Sequence, residues 1–134
     1  VGQGGLISAL PEHAQPAPEH LRGPAVERPL QAKANENVTI EFSPDGTLTY
    51  GDGCNSGNAT YHFDEQGKLH VGDLAETQAL CDPAAMAAAD DLKTILQANP
   101  DVYILDRDTI ALGSQGHGIE FIEAKATISE PQEG

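Results

Sequence analysis

Two cysteines are the residues of this 134-residue chain whose chemistry is most distinctive. Cys54 lies in the glycine-rich stretch GDGCNSGN, and Cys81 ends the stretch AETQALC. A catalytic thiol needs a histidine partner and an electropositive setting, whereas the nearest charged neighbour of Cys54 in the sequence is Asp52. We therefore expect no nucleophile here. The chain also lacks the further cysteines of a CxxC-type metal site.

The two thiols are compatible with two states. In a small domain with a limited core, a disulfide between Cys54 and Cys81 is the favoured interpretation. Closing such a loop stabilises a protein by roughly 3 to 4 kcal/mol on the chain-entropy view. The alternative is a pair of buried, reduced thiols in a cytosolic protein, which mass spectrometry with and without reductant would distinguish.

Two histidines form the next candidate pair. If the segment ATYHF-DEQG-KLHV is a hairpin with a three-residue loop, His62 and His70 lie directly opposite each other. Two imidazoles at that distance make half of a transition-metal site. The pattern fixes no third ligand, so we interpret them as solvated histidines and only weak metal candidates. We expect no cofactor.

The charge of the chain excludes several functions. Twenty-one acidic and 7 basic residues give a formal net charge of −14, which leaves nothing to neutralise nucleic-acid phosphates. An anionic membrane surface is disfavoured for the same reason, and no apolar stretch is long enough to span a bilayer. The carboxylates are abundant, but none is paired in a general acid-base setting, so we predict no catalytic residues and no enzyme.

The elements that must position these residues are short strands. Between residues 38 and 122, alternating runs separated by turn residues predict antiparallel β-structure. In VTIEF-SPDG-TLTY, a turn with Gly46 in the left-handed region places Phe42 opposite Leu48 and Ile40 opposite Tyr50. The same construction in the histidine hairpin pairs four further residues: Phe63 with Leu69, and Tyr61 with Val71.

One segment has the pattern of an amphipathic helix at about residues 83–98. Asp82 is a good N-cap, Pro83 suits the first helical position, and Asn99 with Pro100 stops the helix. Its apolar residues recur at helical spacing and predict one face packed on the sheet. That stripe consists of Ala85, Ala88, Leu92, Ile95 and Leu96.

The two ends of the chain have a different composition. Residues 1–37 contain five of the nine prolines and predict an irregular segment, with a first strand at 5–10. Residues 124–134 read as a polar tail. The chain begins with Val1 and lacks a signal-peptide pattern, which indicates a mature or trimmed form. The predicted folded domain is therefore 38–123.

The order of these features resembles the META domain family, which includes HslJ-like heat-shock and envelope proteins. The resemblance rests on Gly53-Cys54-Asn55, an aromatic hairpin, Thr77-Gln78-Ala79-Leu80-Cys81, a helix and closing strands. The family's first strand usually carries a tryptophan and a shorter connection, which this chain lacks. By resemblance, the two family cysteines are Cys54 and Cys81, and Gly53, Asn55 and Thr77 are structural motif residues.

The family implies a fold that agrees with the residue patterns. It is an α+β domain in which antiparallel strands form a partly open, cracked β-barrel or curved sheet with one α-helix packed on it. Family members are extracytoplasmic, that is periplasmic, cell-surface or secreted, and often lipid-anchored. A lipid anchor would require an N-terminal part that has been removed. The family is linked to envelope stress, heat shock, novobiocin tolerance or motility, and it implies no catalytic activity.

Two functions follow as expectations. The first is a monomeric, non-enzymatic domain that contacts an unknown envelope or extracellular protein through its acidic surface and glycine-rich loop. The alternative is a small carrier that binds an apolar ligand inside the cracked barrel. We rank the carrier second because the alanines along the helix stripe favour close packing against the sheet.

Overall fold

The computed structural model of the chain describes residues 6–12 and 14–124. These residues form two helices, α1 (Glu19–Val26) and α2 (Pro83–Gln97). The strands of the same residues are β1 (Ser8–Ala9), β2 (Leu30–Ala32), β3 (Asn35–Phe42), β4 (Thr47–Asp52), β5 (Ser56–Phe63), β6 (Leu69–Val71), β7 (Ala75–Glu76), β8 (Asp101–Ile104), β9 (Thr109–Ser114) and β10 (His117–Glu123).

The strands form one curved antiparallel sheet in the order β6-β5-β4-β3-β2-β10-β9-β8. Short strands β1 and β7 pair with β10 and β5. The two end strands approach each other, where the Leu69 backbone N–H donates to the Pro100 carbonyl at 2.8 Å and Lys68 pairs with Asp101. The result is a nearly closed barrel with one seam, which confirms the predicted cracked barrel.

The first hairpin has the predicted register. Phe42 pairs with Leu48 and Ile40 pairs with Tyr50, and all four side chains are buried. Gly46 has a φ of +93°, as the turn requires. The alternation of apolar and polar residues fixed this register, because a slip of one residue would turn the buried side chains outward.

The second hairpin is also confirmed. Phe63 pairs with Leu69 and Tyr61 pairs with Val71. The Phe42 and Tyr61 rings meet edge to face, with centroids 5.0 Å apart, so the two hairpins share one aromatic contact.

Helix α2 begins where predicted and ends one residue early. The Asp82 side chain accepts a hydrogen bond from the Ala85 N–H at 3.1 Å, and Asn99 leaves the helix with a φ of +53°. The packed face matches the predicted stripe except at one position, since Ala85 is only half-buried and Ala89 is buried in addition. The buried residues of the helix are Ala88, Ala89, Leu92, Ile95 and Leu96.

The segment 1–37 differs most from its prediction. It was expected to be irregular, yet it holds α1 and β2, and β3 begins at Asn35. The prediction of one helix is thus corrected to two. Helix α1 contains Gly23 and Pro24, which weaken helical propensity, and it gains stability by burying Ala25 and Val26 in the core.

The same segment covers the seam of the barrel. The Ala17 N–H donates to the Val102 carbonyl at 2.7 Å, so the chain before α1 adds to the free edge of β8. The Arg22 guanidinium lies 5.4 Å from the centre of the Phe63 ring on the other side of the seam. Residues 17–22 therefore connect the two edges that the strands leave only partly joined.

Two smaller predictions concern the ends of the described chain. The strand predicted at 5–10 is the two-residue strand Ser8–Ala9, and Gly5 lies outside the described residues. The predicted polar tail also lies outside them, apart from Ala124.

Candidate functional site

The turn that carries Cys54 is organised by a buried aspartate at the end of β4. One carboxylate oxygen of Asp52, Oδ1, accepts from the Cys54 N–H at 2.9 Å and from the Asn55 N–H at 2.6 Å. The Asp52 N–H donates back to the Asn55 carbonyl at 2.9 Å. Gly53 has a φ of +86°, a conformation that suits glycine. The motif glycine is therefore explained by the turn.

The side chain of Asn55 links this turn by hydrogen bonds to the segment that carries Cys81. Its Oδ1 accepts from the Thr77 hydroxyl at 2.7 Å and from the Ala79 N–H at 2.6 Å. Its Nδ2 donates to the Ala79 carbonyl at 3.1 Å. The Thr77 hydroxyl also accepts from the Ser56 N–H at 3.2 Å. Two residues that the resemblance marked as structural thus meet directly.

Cys54 and Cys81 form a disulfide in this structure, with Cα atoms 5.8 Å apart. Of the two states left open by the sequence, the structure therefore has the disulfide. It closes a separation of 27 residues and lies against α2, where the Met86 sulfur is 4.0 Å from the Cys54 sulfur.

The segment between Thr77 and Asp82, which we call the Leu80 loop, displays one large apolar side chain. Leu80 is 92% exposed, the highest value among the exposed large hydrophobic residues of the described chain. It stands between Ala79, which Asn55 holds, and Cys81, which the disulfide holds. An apolar side chain is therefore presented to solvent on a backbone that is fixed at both neighbours.

A three-residue polar cluster lies next to the Leu80 loop and joins β4, β7 and α2. Glu76 accepts from the Tyr50 hydroxyl at 2.5 Å and from the Lys93 ammonium at 2.8 Å. The hydrogen bonds from Lys93 and then from Tyr50 hold the pKa of Glu76 below its ordinary value. Burial and the bond to Glu76 raise the pKa of Tyr50, and the same carboxylate raises the pKa of Lys93.

The two candidate histidines lie directly opposite each other, as predicted. The His62 and His70 rings stack with centroids 5.0 Å apart. His70 Nε2 lies 2.7 Å from an Asp64 oxygen, and its Nδ1 lies 3.2 Å from Asn99 Nδ2. Because Asn99 donates to Nδ1, the ring proton is on Nε2 and points at Asp64. To bind a metal, His70 would have to give up one of these bonds.

The carboxylate of Asp64 is also engaged in hydrogen bonds within the hairpin. Its Oδ1 accepts from the Gln66 and Lys68 N–H groups of the hairpin turn, while Oδ2 faces His70. The hydrogen bond to His70 is the largest cause that lowers the pKa of Asp64. Among the described residues, no group of three or more His, Cys, Asp or Glu side chains is placed to hold a metal ion.

The space between helix and sheet, which the carrier hypothesis requires, is filled. Ala88, Leu92 and Leu96 on the packed face of α2 have no exposed surface. A mostly apolar groove of about 330 Å³ does exist over β2, β3 and β4, with Thr39 and Thr49 in its wall. No residue of α2 lines it, so it is not a ligand cavity between helix and sheet.

Three important residues of this region escaped the sequence analysis. The sequence interpretation treats Asp52 only as an acidic neighbour of Cys54, although an Asp-Gly pair directly before a cysteine is the signal of a side-chain-closed turn. Glu76 and Leu80 left no signal, because their roles depend on neighbours that are distant in sequence.

Neither helix of the described residues has the length and apolar character that spanning a membrane requires.

Comparison with solved structures agrees with the fold. Two solved NMR structures share the fold at 16% identity. One is of a protein from Burkholderia xenovorans, with a TM-score of 0.60, covering 88% of this chain and 96% of its own. The other has a TM-score of 0.58 and covers 74% and 91%. No curated protein matches the sequence.

The family comparison covers most of the chain. The META domain model matches residues 17–126, and the match includes both cysteines, the motif residues and α1. Its start at residue 17 agrees with the segment that covers the seam. This chain belongs to the META domain family.

Proposed function

We propose that this META domain is a non-enzymatic protein-contact module that binds a partner through Leu80. The observation that carries the proposal is the 92% exposure of Leu80 on a backbone held by Asn55 and by the disulfide. Because the backbone around Leu80 is already fixed, ordering this segment on binding costs little conformational entropy. Leu80 is therefore suited to fill a pocket of a partner as a buried interface residue.

The chemistry of the partner follows from the surroundings of Leu80. Asp82, at the end of the Leu80 loop, is exposed, and the chain carries a net charge of −14. The complementary surface is an apolar pocket with a rim of lysine or arginine side chains. We therefore propose a basic partner that receives Leu80 in its pocket.

The proposed setting is extracytoplasmic. A disulfide supports an oxidising compartment, in agreement with the envelope setting that the family resemblance implies. A role in the envelope stress response, such as heat shock or novobiocin tolerance, is proposed on the resemblance alone. A non-enzymatic role is supported by the use of Glu76 in an ion pair with Lys93 and of Asp64 as a hydrogen-bond acceptor for His70 and the hairpin turn.

The first test identifies a partner by contact at Leu80. The photo-crosslinking residue p-benzoylphenylalanine is placed at position 80, and in a matched control at Leu21, which is 42% exposed on α1. Both proteins are irradiated in an extract of the cell envelope of the source organism. We expect a product that forms at position 80 and is absent at position 21. A set of products that is the same at both positions, or none at position 80, contradicts the proposal.

The second test measures affinity for the captured protein after purification. Leu80→Asp removes the apolar anchor, and Leu21→Asp makes the same change on α1. We expect Leu80→Asp to weaken binding by about 30-fold or more, the effect of an interface hot spot of about 2 kcal/mol. Leu21→Asp should bind like the wild type. Equal affinities for the two variants would overturn the role of Leu80.

A further inference from the structure

Two of the four exposed large hydrophobic side chains of the described residues lie on the wall of one surface groove. They are Leu21 on α1 and Ile104 at the end of β8. The groove has a volume of about 250 Å³ and lies between α1 and the β8–β9 hairpin. Its apolar wall continues to Pro24 on α1 and to the buried Ile110 on β9. A ligand that fills this groove would remove apolar surface from water.

Two guanidinium groups, those of Arg28 and Arg107, line the same groove. The whole chain has only 7 basic residues. Arg107 forms no ion pair with any of the described residues. Arg28 donates from Nε to the Ala25 carbonyl at 3.2 Å, and the Glu123 carboxylate is 3.8 Å away, too far for a hydrogen bond. Both arginines therefore have N–H donors available to a ligand.

One carboxylate, that of Asp106, also lines the groove. It is engaged in the hairpin turn, where its Oδ1 accepts from the Asp108 N–H at 2.8 Å. Two arginines and one aspartate give the wall a single positive charge, which a monoanion balances and a cation does not. The net charge of −14 opposes any anion at long range, but salt screens exposed charges beyond about 8 Å at physiological ionic strength.

We propose that this groove binds an aliphatic carboxylate, a ligand with one hydrocarbon chain and one anionic head group. The chain covers Leu21 and Ile104, and the head group accepts from a guanidinium, whose planar fork matches a carboxylate. The groove shares no residue with the Leu80 loop, so this inference does not rest on the proposed function. It also differs from the carrier hypothesis, because the groove opens at the surface beside α1 and not in the interior beside α2.

The probe is sodium octanoate, added in an NMR titration of the wild type at neutral pH and constant ionic strength. The matched probe is octyltrimethylammonium, which has the same hydrocarbon chain and a cationic head group. We expect octanoate to shift the amide signals of Leu21, Ile104 and Ile110. Its Kd should be about 1 mM or lower, in the range of a ligand with about ten non-hydrogen atoms. Octyltrimethylammonium should bind at least about fivefold more weakly.

The first pair of variants tests the head group. Arg107 is exposed at the tip of the hairpin, so Arg107→Gln removes one charge from the groove without disturbing the core. It should weaken octanoate binding by about fivefold to tenfold, the effect of one charged hydrogen bond in an accessible site. The matched control is Lys33→Gln, which removes an exposed cation outside the groove. Lys33→Gln should bind octanoate like the wild type.

The second pair of variants tests the location. Leu21→Asp places a negative charge in the groove and should abolish octanoate binding, whereas Leu80→Asp should bind octanoate like the wild type. Loss of binding in Leu80→Asp would contradict the proposed site. Failure of the crosslinking experiment would leave the octanoate titration unaffected.

Three results overturn the proposal. The first is a titration without saturation by about 10 mM octanoate, ten times the expected Kd. The second is equal affinity for the two probes. The third is an equal effect of Arg107→Gln and Lys33→Gln. In the last two cases the guanidinium groups would not select the ligand, and contact with apolar surface would account for the binding.

Discussion

The side-chain amide of Asn55 binds the backbone of Ala79 through both of its polar atoms, accepting from the N–H at 2.6 Å and donating to the carbonyl at 3.1 Å. These are the two hydrogen bonds that a neighbouring β-strand would make with the Ala79 backbone, although residues 77–82 do not belong to a strand. The contact lies beside the disulfide, so the Leu80 loop is fixed by the disulfide and by several hydrogen bonds.

Asn55→Ala should destabilise the domain by about 1 to 2 kcal/mol. It removes the bonds to Ala79 and Thr77, but water partly replaces them because both residues are exposed. Urea unfolding measures the change, and hydrogen exchange at the Ala79 amide should accelerate. Asn58→Ala, at an exposed position of β5, is the matched control. Equal losses in the two variants would refute the role of Asn55.

The double variant Cys54→Ser/Cys81→Ser should lose about 3 to 4 kcal/mol of unfolding free energy. The disulfide spans 27 residues, and the expected loss is the entropy that this constraint removes from the unfolded chain. Urea unfolding with and without reductant provides the measurement. Reductant should destabilise the wild type and leave the double variant unchanged. A wild type that is insensitive to reductant would contradict the prediction.

The parts of the fold that the sequence predicts are those with local, periodic signals. Alternation and a turn glycine determine the pairing of Phe42 with Leu48, because the strands are adjacent in sequence. The disulfide between Cys54 and Cys81 was favoured because the chain has only two cysteines. Such patterns need no knowledge of distant neighbours.

The remaining features depend on contacts between distant residues. The Asn55–Ala79 pair joins a side chain to a backbone 24 residues away, which leaves no periodic pattern. Helix α1 has weak propensity and is stabilised by burial of Val26, so only the assembled core accounts for it.

Val26→Ala should destabilise the domain by about 1.5 to 3 kcal/mol. Val26 lies on α1 with no exposed surface, so its truncation leaves a cavity in the main core. The control is Leu21→Ala on the same helix, where the side chain is 42% exposed and the loss should be below about 0.5 kcal/mol. Thermal and urea unfolding give both values. Similar small losses for the two variants would mean that α1 is not part of the cooperative unit.

Glu76→Gln should make the unfolding free energy of the domain less sensitive to pH in the acidic range. The pKa of Glu76 in the folded state lies below its ordinary value of 4.5, chiefly because of the hydrogen bond from Lys93 and then that from Tyr50. The folded protein therefore binds fewer protons than the unfolded chain in this range, and the stabilisation is present above pH 4.5. It is lost as pH falls through the lower pKa of the folded state.

Urea unfolding at pH 7 and at several values below 4.5 measures the effect. At pH 7, Glu76→Gln should cost about 1 to 3 kcal/mol, because glutamine cannot accept both bonds and leaves Lys93 without its counter-charge. As pH falls from 4.5 through the lower folded-state pKa of Glu76, the difference between wild type and variant should shrink, since protonation progressively removes the charge in the wild type. Glu41→Gln, at an exposed position on β3, should leave the pH profile unchanged. A difference between wild type and Glu76→Gln that is constant with pH would show that Glu76 acts by packing and not by its charge.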